Sequence, residues 1–130
     1  MSGVQNLSEL LETLQPQLSA ETYVFISGIE LGNEQPWALI HEDEGPTAIL
    51  THSQALVLGL VDFELFFRIT LLVHSSLTAV GLTATVSTKL ARRAISANVV
   101  AGYYHDHIFV PADRGGEAME ALQELANESK

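Results

Sequence analysis

The run Phe66-Phe67-Arg68-Ile69-Thr70-Leu71-Leu72-Val73-His74 constrains the chain most, because its alternation suits only an extended strand. Phe67, Ile69, Leu71 and Val73 fall on one face, and Arg68, Thr70 and His74 on the other. A strand with one apolar face must bury it, and the residues that follow supply the cover. Beyond Gly81, Leu82, Val86 and Leu90 recur at helical spacing. Lys89, Arg92 and Arg93 lie towards that helix's C-terminal end, where its dipole favours cations. Residues 95–102 alternate again, with Ile95, Ala97, Val99 and Ala101 opposed to Ser96 and Asn98. A polar tip, Tyr103-Tyr104-His105-Asp106-His107, leads into a third strand over 107–110. Asp113 is placed to cap a last helix that turns Ala118, Ala121, Leu122 and Leu125 inward. From residue 66 the order is strand, helix, strand, strand, helix, a split βαββαβ unit short of one strand.

The first half holds a candidate for that strand. Asn6-Leu7-Ser8-Glu9 fits a capping box, Leu7, Leu10, Leu11 and Leu14 follow helical spacing, and Pro16 ends the run. Residues 22–27, rich in β-branched and aromatic side chains, read as a strand. Residues 28–36 read as a loop. Strands over 37–41 and 47–51 flank the turn Glu42-Asp43-Glu44-Gly45-Pro46, and Ser53 is placed to cap a short helix ended by Gly59. If residues 22–27 complete the later sheet, the halves interlock. The expected fold is α+β and ferredoxin-like, two interlocked units with an antiparallel sheet covered by helices, divided at residues 1–64 and 65–130.

Charge narrows the partners. The net charge is −10, and residues 1–64 carry ten Asp and Glu with no Lys or Arg. Such a chain repels phosphate backbones and anionic lipid, so neither nucleic acid nor a membrane surface is expected as partner. Without cysteine there is no disulfide framework, thiolate metal site or Cys nucleophile. The N-terminal residues lack a basic segment followed by an apolar run, and residues 55–73 are broken by Gly59, Asp62, Glu64 and Arg68. A cytoplasmic protein is the expectation.

The ordered combination Val80-Gly81-Leu82-Thr83-Ala84, residues 90–94, Ile95-Ser96-Ala97-Asn98-Val99, a hairpin and a helix resembles the ACT domain. These are small ferredoxin-like modules that bind amino acids and regulate metabolic enzymes such as aspartate kinases. The Ser75-Ser76-Leu77 to Thr83 stretch and the Tyr103 to Pro111 stretch look like small stand-alone bacterial tandem-ACT proteins. Asp106-His107 with Val110-Pro111 is similar, more distantly, to the cytosolic arginine sensors of animals. The resemblance spans about residues 66–125, and before that the order of elements departs from a simple ACT unit. It implies an amino-acid-binding regulatory protein, not an enzyme, acting as a homodimer or through another protein.

Three places carry that chemistry. The turn over 75–83, with Ser75, Ser76, Val80, Gly81, Leu82 and Thr83, leads into a helix N-terminus whose free N–H groups suit a carboxylate. By resemblance Gly81, Leu82 and Thr83 hold an effector's main-chain groups; by packing alone, Gly81 merely allows the turn. Asn98 is polar on an otherwise apolar strand. Burial would oblige it to find partners, in a ligand or in neighbouring backbone. Tyr104 and Asp106 sit at the tip, where the carboxylate could pair with a ligand's cation or simply be solvated. His105 and His107 share a face, but too few further ligands accompany them for a metal site. No phosphate loop, dinucleotide fingerprint or nucleophile with its base is present, so no cofactor and no catalysis are expected. The alternative from another class is a protein-interaction module without a ligand.

Overall fold

A computed structural model describes residues 6–130; residues 1–5, which open the stretch read above as lacking a leader, lie outside the described residues. Two compact units emerge. One comprises the residues through Ser19 with Phe67–Lys130, and the other comprises Ala20–Phe66.

The larger unit holds α1 (Leu7–Glu12), the start of β1 (Pro16–Ser27), β4 (Phe66–Leu71), α3 (Leu82–Arg92), β5 (Asn98–Ala101), β6 (Asp106–Pro111) and α4 (Gly115–Glu128). The smaller holds the rest of β1, β2 (Ala38–Glu42), β3 (Gly45–Thr51) and α2 (His52–Val57). Strands hydrogen-bond in the order β2-β3-β1-β4-β6-β5. Reading β4, β5 and β6 as the first three strands of the split unit, β1 beside β4 is its fourth. The fold is therefore α+β, with two ferredoxin-like sets of strands that share β1.

The first half of β1 supplies this strand, which corrects the expectation that residues 22–27 would. Leu72 N–H donates to the Gln15 carbonyl (3.1 Å), and the Arg68 N–H donates to Ser19 Oγ (3.0 Å). Tyr23–Ser27 instead face β3, in the antiparallel register Tyr23↔Thr51 to Ser27↔Thr47. Residues 16–19 carry no strand signal of their own. Pro16 is tolerated as the first strand residue, and β4 provides the partner that extends the rest.

In the larger unit Ile69 and Leu71 of β4 meet Ile108 and Val110 of β6 in one core with Leu10, Val86, Leu90 and Leu122 of the helices and Leu14 from the segment before β1. The alternation read in residues 67–73 is thus the core face. In the smaller unit Val24, Ala48, Leu50 and Ala55 form a second core.

Local signals were redistributed at three points. Asn6 does cap α1, its Oδ1 accepting from Glu9 N–H at 3.0 Å. At α2 the cap is Thr51, in a reciprocal capping box with Gln54, while Ser53 Oγ donates to Glu21 (2.8 Å). Residues 95–97 close α3 instead of opening β5: Ile95 N–H returns to the Leu90 carbonyl at 3.0 Å, with Ala94 in the left-handed region (φ 56°). Asp113 lies in a 3-10 turn (Ala112–Arg114), and no side chain among the described residues caps α4. Among the described residues, no helix is long and apolar enough to cross a membrane.

Candidate functional site

α3 begins where Gly81 adopts φ 97° and ψ −17°, a conformation that strains any residue with a Cβ. No side chain among the described residues caps the helix, so among them its first-turn N–H groups remain open to an acceptor. Ahead of it Ser76 Oγ accepts from Thr78 N–H (3.2 Å), closing a tight local turn in the segment after β4. Across from this turn, Gly102 N–H donates to the His105 carbonyl at 2.9 Å. A Cβ on Gly102 would lie 2.9 Å from that same oxygen, so the tip closes only with glycine there.

These two turns enclose a cavity of ≈ 90 Å³ lined by Ser75, Ser76, Leu82, Thr83, Gly102 and Asp106 among others. At about 30 Å³ per water, it has room for roughly three waters, or for a small polar head group. Asp106 is half-buried. Burial pushes its carboxyl above the ordinary value, while a hydrogen bond from Ser75 and the charge of His105 act the other way. A half-buried carboxylate in a cavity lined by no Lys or Arg is a good acceptor for a ligand's ammonium group.

The remaining candidates stand apart from the cavity lining. Val80 is 82% exposed. Tyr104, 62% exposed, rests against Tyr103 (ring centroids 5.0 Å) and His74 (5.6 Å). Asn98 is exposed, not buried, because β5 is the edge strand of the sheet. It thus has no burial to compensate. Leu77, which also lines the cavity, is 65% exposed and adds apolar surface at its mouth.

Two features escaped the sequence. Gly102 was readable only as a strand end. On β6, His107 is joined to Thr70 of β4 (Thr70 Oγ1 to Nδ1, 2.9 Å), and its pKa falls to about 4. Burial is the main cause, with the positive fields of Arg68 and His105 adding to it. Among the described residues, no three His, Asp or Glu side chains gather as a metal-binding group.

A larger groove, ≈ 360 Å³, lies between α3 and α4 and is lined by Lys89, Arg92 and Arg93. Its cations are mostly engaged. Lys89 meets Glu128 at 3.0 Å and Glu124 at 3.4 Å, and Arg93 meets Glu124 at 2.5 Å. The small cavity, with its open helix N-terminus and half-buried carboxylate, is the better chemical site despite its size.

Known proteins agree with this architecture. The ACT domain family matches residues 2–68 and, a second time, residues 68–124. A Vibrio cholerae protein, described as of unknown function and a possible transport protein, is 46% identical, with a TM-score of 0.80 over 88% of this chain and 92% of that one. The regulatory subunits of aspartate kinase from Thermus flavus and Thermus thermophilus are 11% and 10% identical, with TM-scores of 0.62 and 0.63. They cover 85% and 87% of this chain and 95% and 97% of theirs, a likeness of fold. No curated protein sequence matches the chain. Two successive matches that together run along nearly the whole chain lead to one conclusion: it belongs to the ACT domain family.

Proposed function

We propose that the chain is a regulatory protein that binds an amino acid, or a similarly small zwitterion, in the cavity between the α3 N-terminus and Asp106. One observation carries this reading: the open N–H groups of α3 and the half-buried Asp106 carboxylate converge on a single small cavity. The ligand's carboxylate is received by the first turn at Gly81, Leu82 and Thr83. Its ammonium group is received by Asp106, with Ser75 and Ser76 completing the lining. A volume of ≈ 90 Å³ suits those head groups and leaves a side chain to lie outwards, past Leu77. Val80, Tyr104 and Asn98 are assigned to ligand contact on family resemblance alone. Residues 1–64 and 65–130 are read as the two ACT-like repeats of a cytoplasmic homodimer. Ligand binding then shifts a conformational or oligomeric equilibrium that another chain senses.

A thermal shift screen against the twenty amino acids tests the reading, followed by Gly81→Asp, which sets a carboxylate against the ligand's own. The expected result is a raised melting temperature for a few related amino acids, lost in the variant. No shift with any of the twenty, or a shift that Gly81→Asp leaves intact, refutes it. Exposed Leu77, Val80, Tyr103 and Tyr104 favour a second reading, a protein-interaction surface with no ligand. Partner binding that persists in Gly81→Asp would select it.

A further inference from the structure

The smaller unit has a cavity of its own, ≈ 500 Å³, lined entirely by residues 25–66. That volume lies within the roughly 300–1,000 Å³ of ordinary small-molecule sites. It forms where β1 ends and where the segment joining α2 to β4 passes. Phe25 and Phe66 stand edge to face in its wall (ring centroids 5.3 Å, 74°). Phe63 is held by His52 at 5.5 Å, and Leu60 adds aliphatic surface. Two carboxylates, Asp62 and Glu64, belong to the same lining.

Their electrostatic setting is unusual. Residues 20–66 contain eight Asp and Glu but no Lys or Arg, so no permanent cation in this unit neutralises them. Both are exposed, and neither takes part in a hydrogen bond or ion pair among the described residues. Asp62 is held in the left-handed region (φ 59°), which Asp tolerates better than most residues, immediately before Phe63. Aromatic rings present a negative face, so the walls as well as the carboxylates favour a cation. An anion is repelled by the whole unit.

We infer that this cavity is a second binding site, selective for organic amines with an apolar body. The ammonium group sits at Asp62 and Glu64, and the hydrocarbon lies against Leu60 and the phenylalanine rings. The inference is independent of the site at α3: it uses no residue of that cavity and calls for a ligand of different charge.

Titration of the full chain with 2-phenylethylamine, followed by amide chemical shifts, tests it against two probes of matched shape, 2-phenylethanol and phenylacetate. The amine is expected to bind saturably and to shift residues around 60–66, the alcohol to bind more weakly, and phenylacetate not to bind. Rising salt should weaken the amine, since the carboxylates are exposed. Asp62→Asn with Glu64→Gln replaces only exposed groups and keeps a residue tolerant of the left-handed region. It should weaken the amine about tenfold or more, equivalent to about 1.4 kcal/mol, and reduce the salt dependence. Equal binding of the alcohol or phenylacetate, an unchanged affinity in the double variant, or shifts centred on residues 75–83 would each overturn the assignment. So would concentration-dependent sedimentation with broadened 60–66 resonances before any amine is added, which would make a second copy the occupant.

Discussion

His107 makes the stability of this protein sensitive to acid, and the size of the effect follows from its surroundings. The ring is half-buried, its Nδ1 is bonded to Thr70, and Arg68 and His105 oppose a further positive charge, so its pKa drops from 6.5 to about 4. The folded value is depressed, so its contribution is fully present above pH 6.5 and is lost as pH falls towards 4. Undiscounted, a shift from 6.5 to about 4 amounts to about 2.5 kcal/mol between pH 7 and pH 4.5. Solvent screening at a half-buried site reduces that to roughly 1 kcal/mol. His107→Asn keeps an oxygen that can accept from Thr70 but cannot titrate. Urea midpoints at pH 7 and pH 4.5 for both proteins isolate the effect, because every other group cancels in the difference. The wild type should lose roughly 1 kcal/mol more than the variant over that interval, and ring proton shifts should show His107 titrating well below the ordinary histidine value of 6.5. Equal losses, or a His107 midpoint above 6, would refute the reasoning. Asp106 runs in the opposite sense: its raised pKa favours the folded state at low pH, so it cannot be the source of the acid sensitivity.

Two further perturbations probe the local physics. A Cβ at Gly115 would fall 2.7 Å from the Phe67 ring, whereas one at Gly116 meets nothing within 4 Å. Gly115→Ala should therefore cost about 1–3 kcal/mol of overpacking, and Gly116→Ala should be neutral or add up to about 1 kcal/mol of helix propensity, with thermal melts reading the opposite signs. Thr51→Ala removes the oxygen that caps α2 at 3.1 Å, and urea unfolding should show a loss of about 1 kcal/mol.

The two cavities differ in how far composition foretold them. Around α3 the residue types alone suggested a carboxylate subsite, since a glycine before an amphipathic helix is a local pattern. In the smaller unit Phe25 and Phe66 are forty-one positions apart in the chain and signalled only strands. Their meeting edge to face, beside Asp62 and Glu64, was not legible, because no short-range rule links them.

What the amino-acid order determined by itself was whatever depends on near neighbours. The period of two in residues 66–73, the period of 3.6 after Gly81, the Asn6 cap and the ferredoxin-like order of the second half all rest on contacts a few residues long. Near-uniform negative charge in the first half was equally plain, and so was the turn at Gly81. Tertiary structure decided the rest. Pro16–Ser19 became strand because β4 had an open edge, Asn98 was left exposed because β5 ended the sheet, and the His107 pKa fell because the sheet buries the ring and brings Arg68 towards it from another strand. Each of these outcomes depends on what lies across the sheet from a residue, which its neighbours in the chain do not specify.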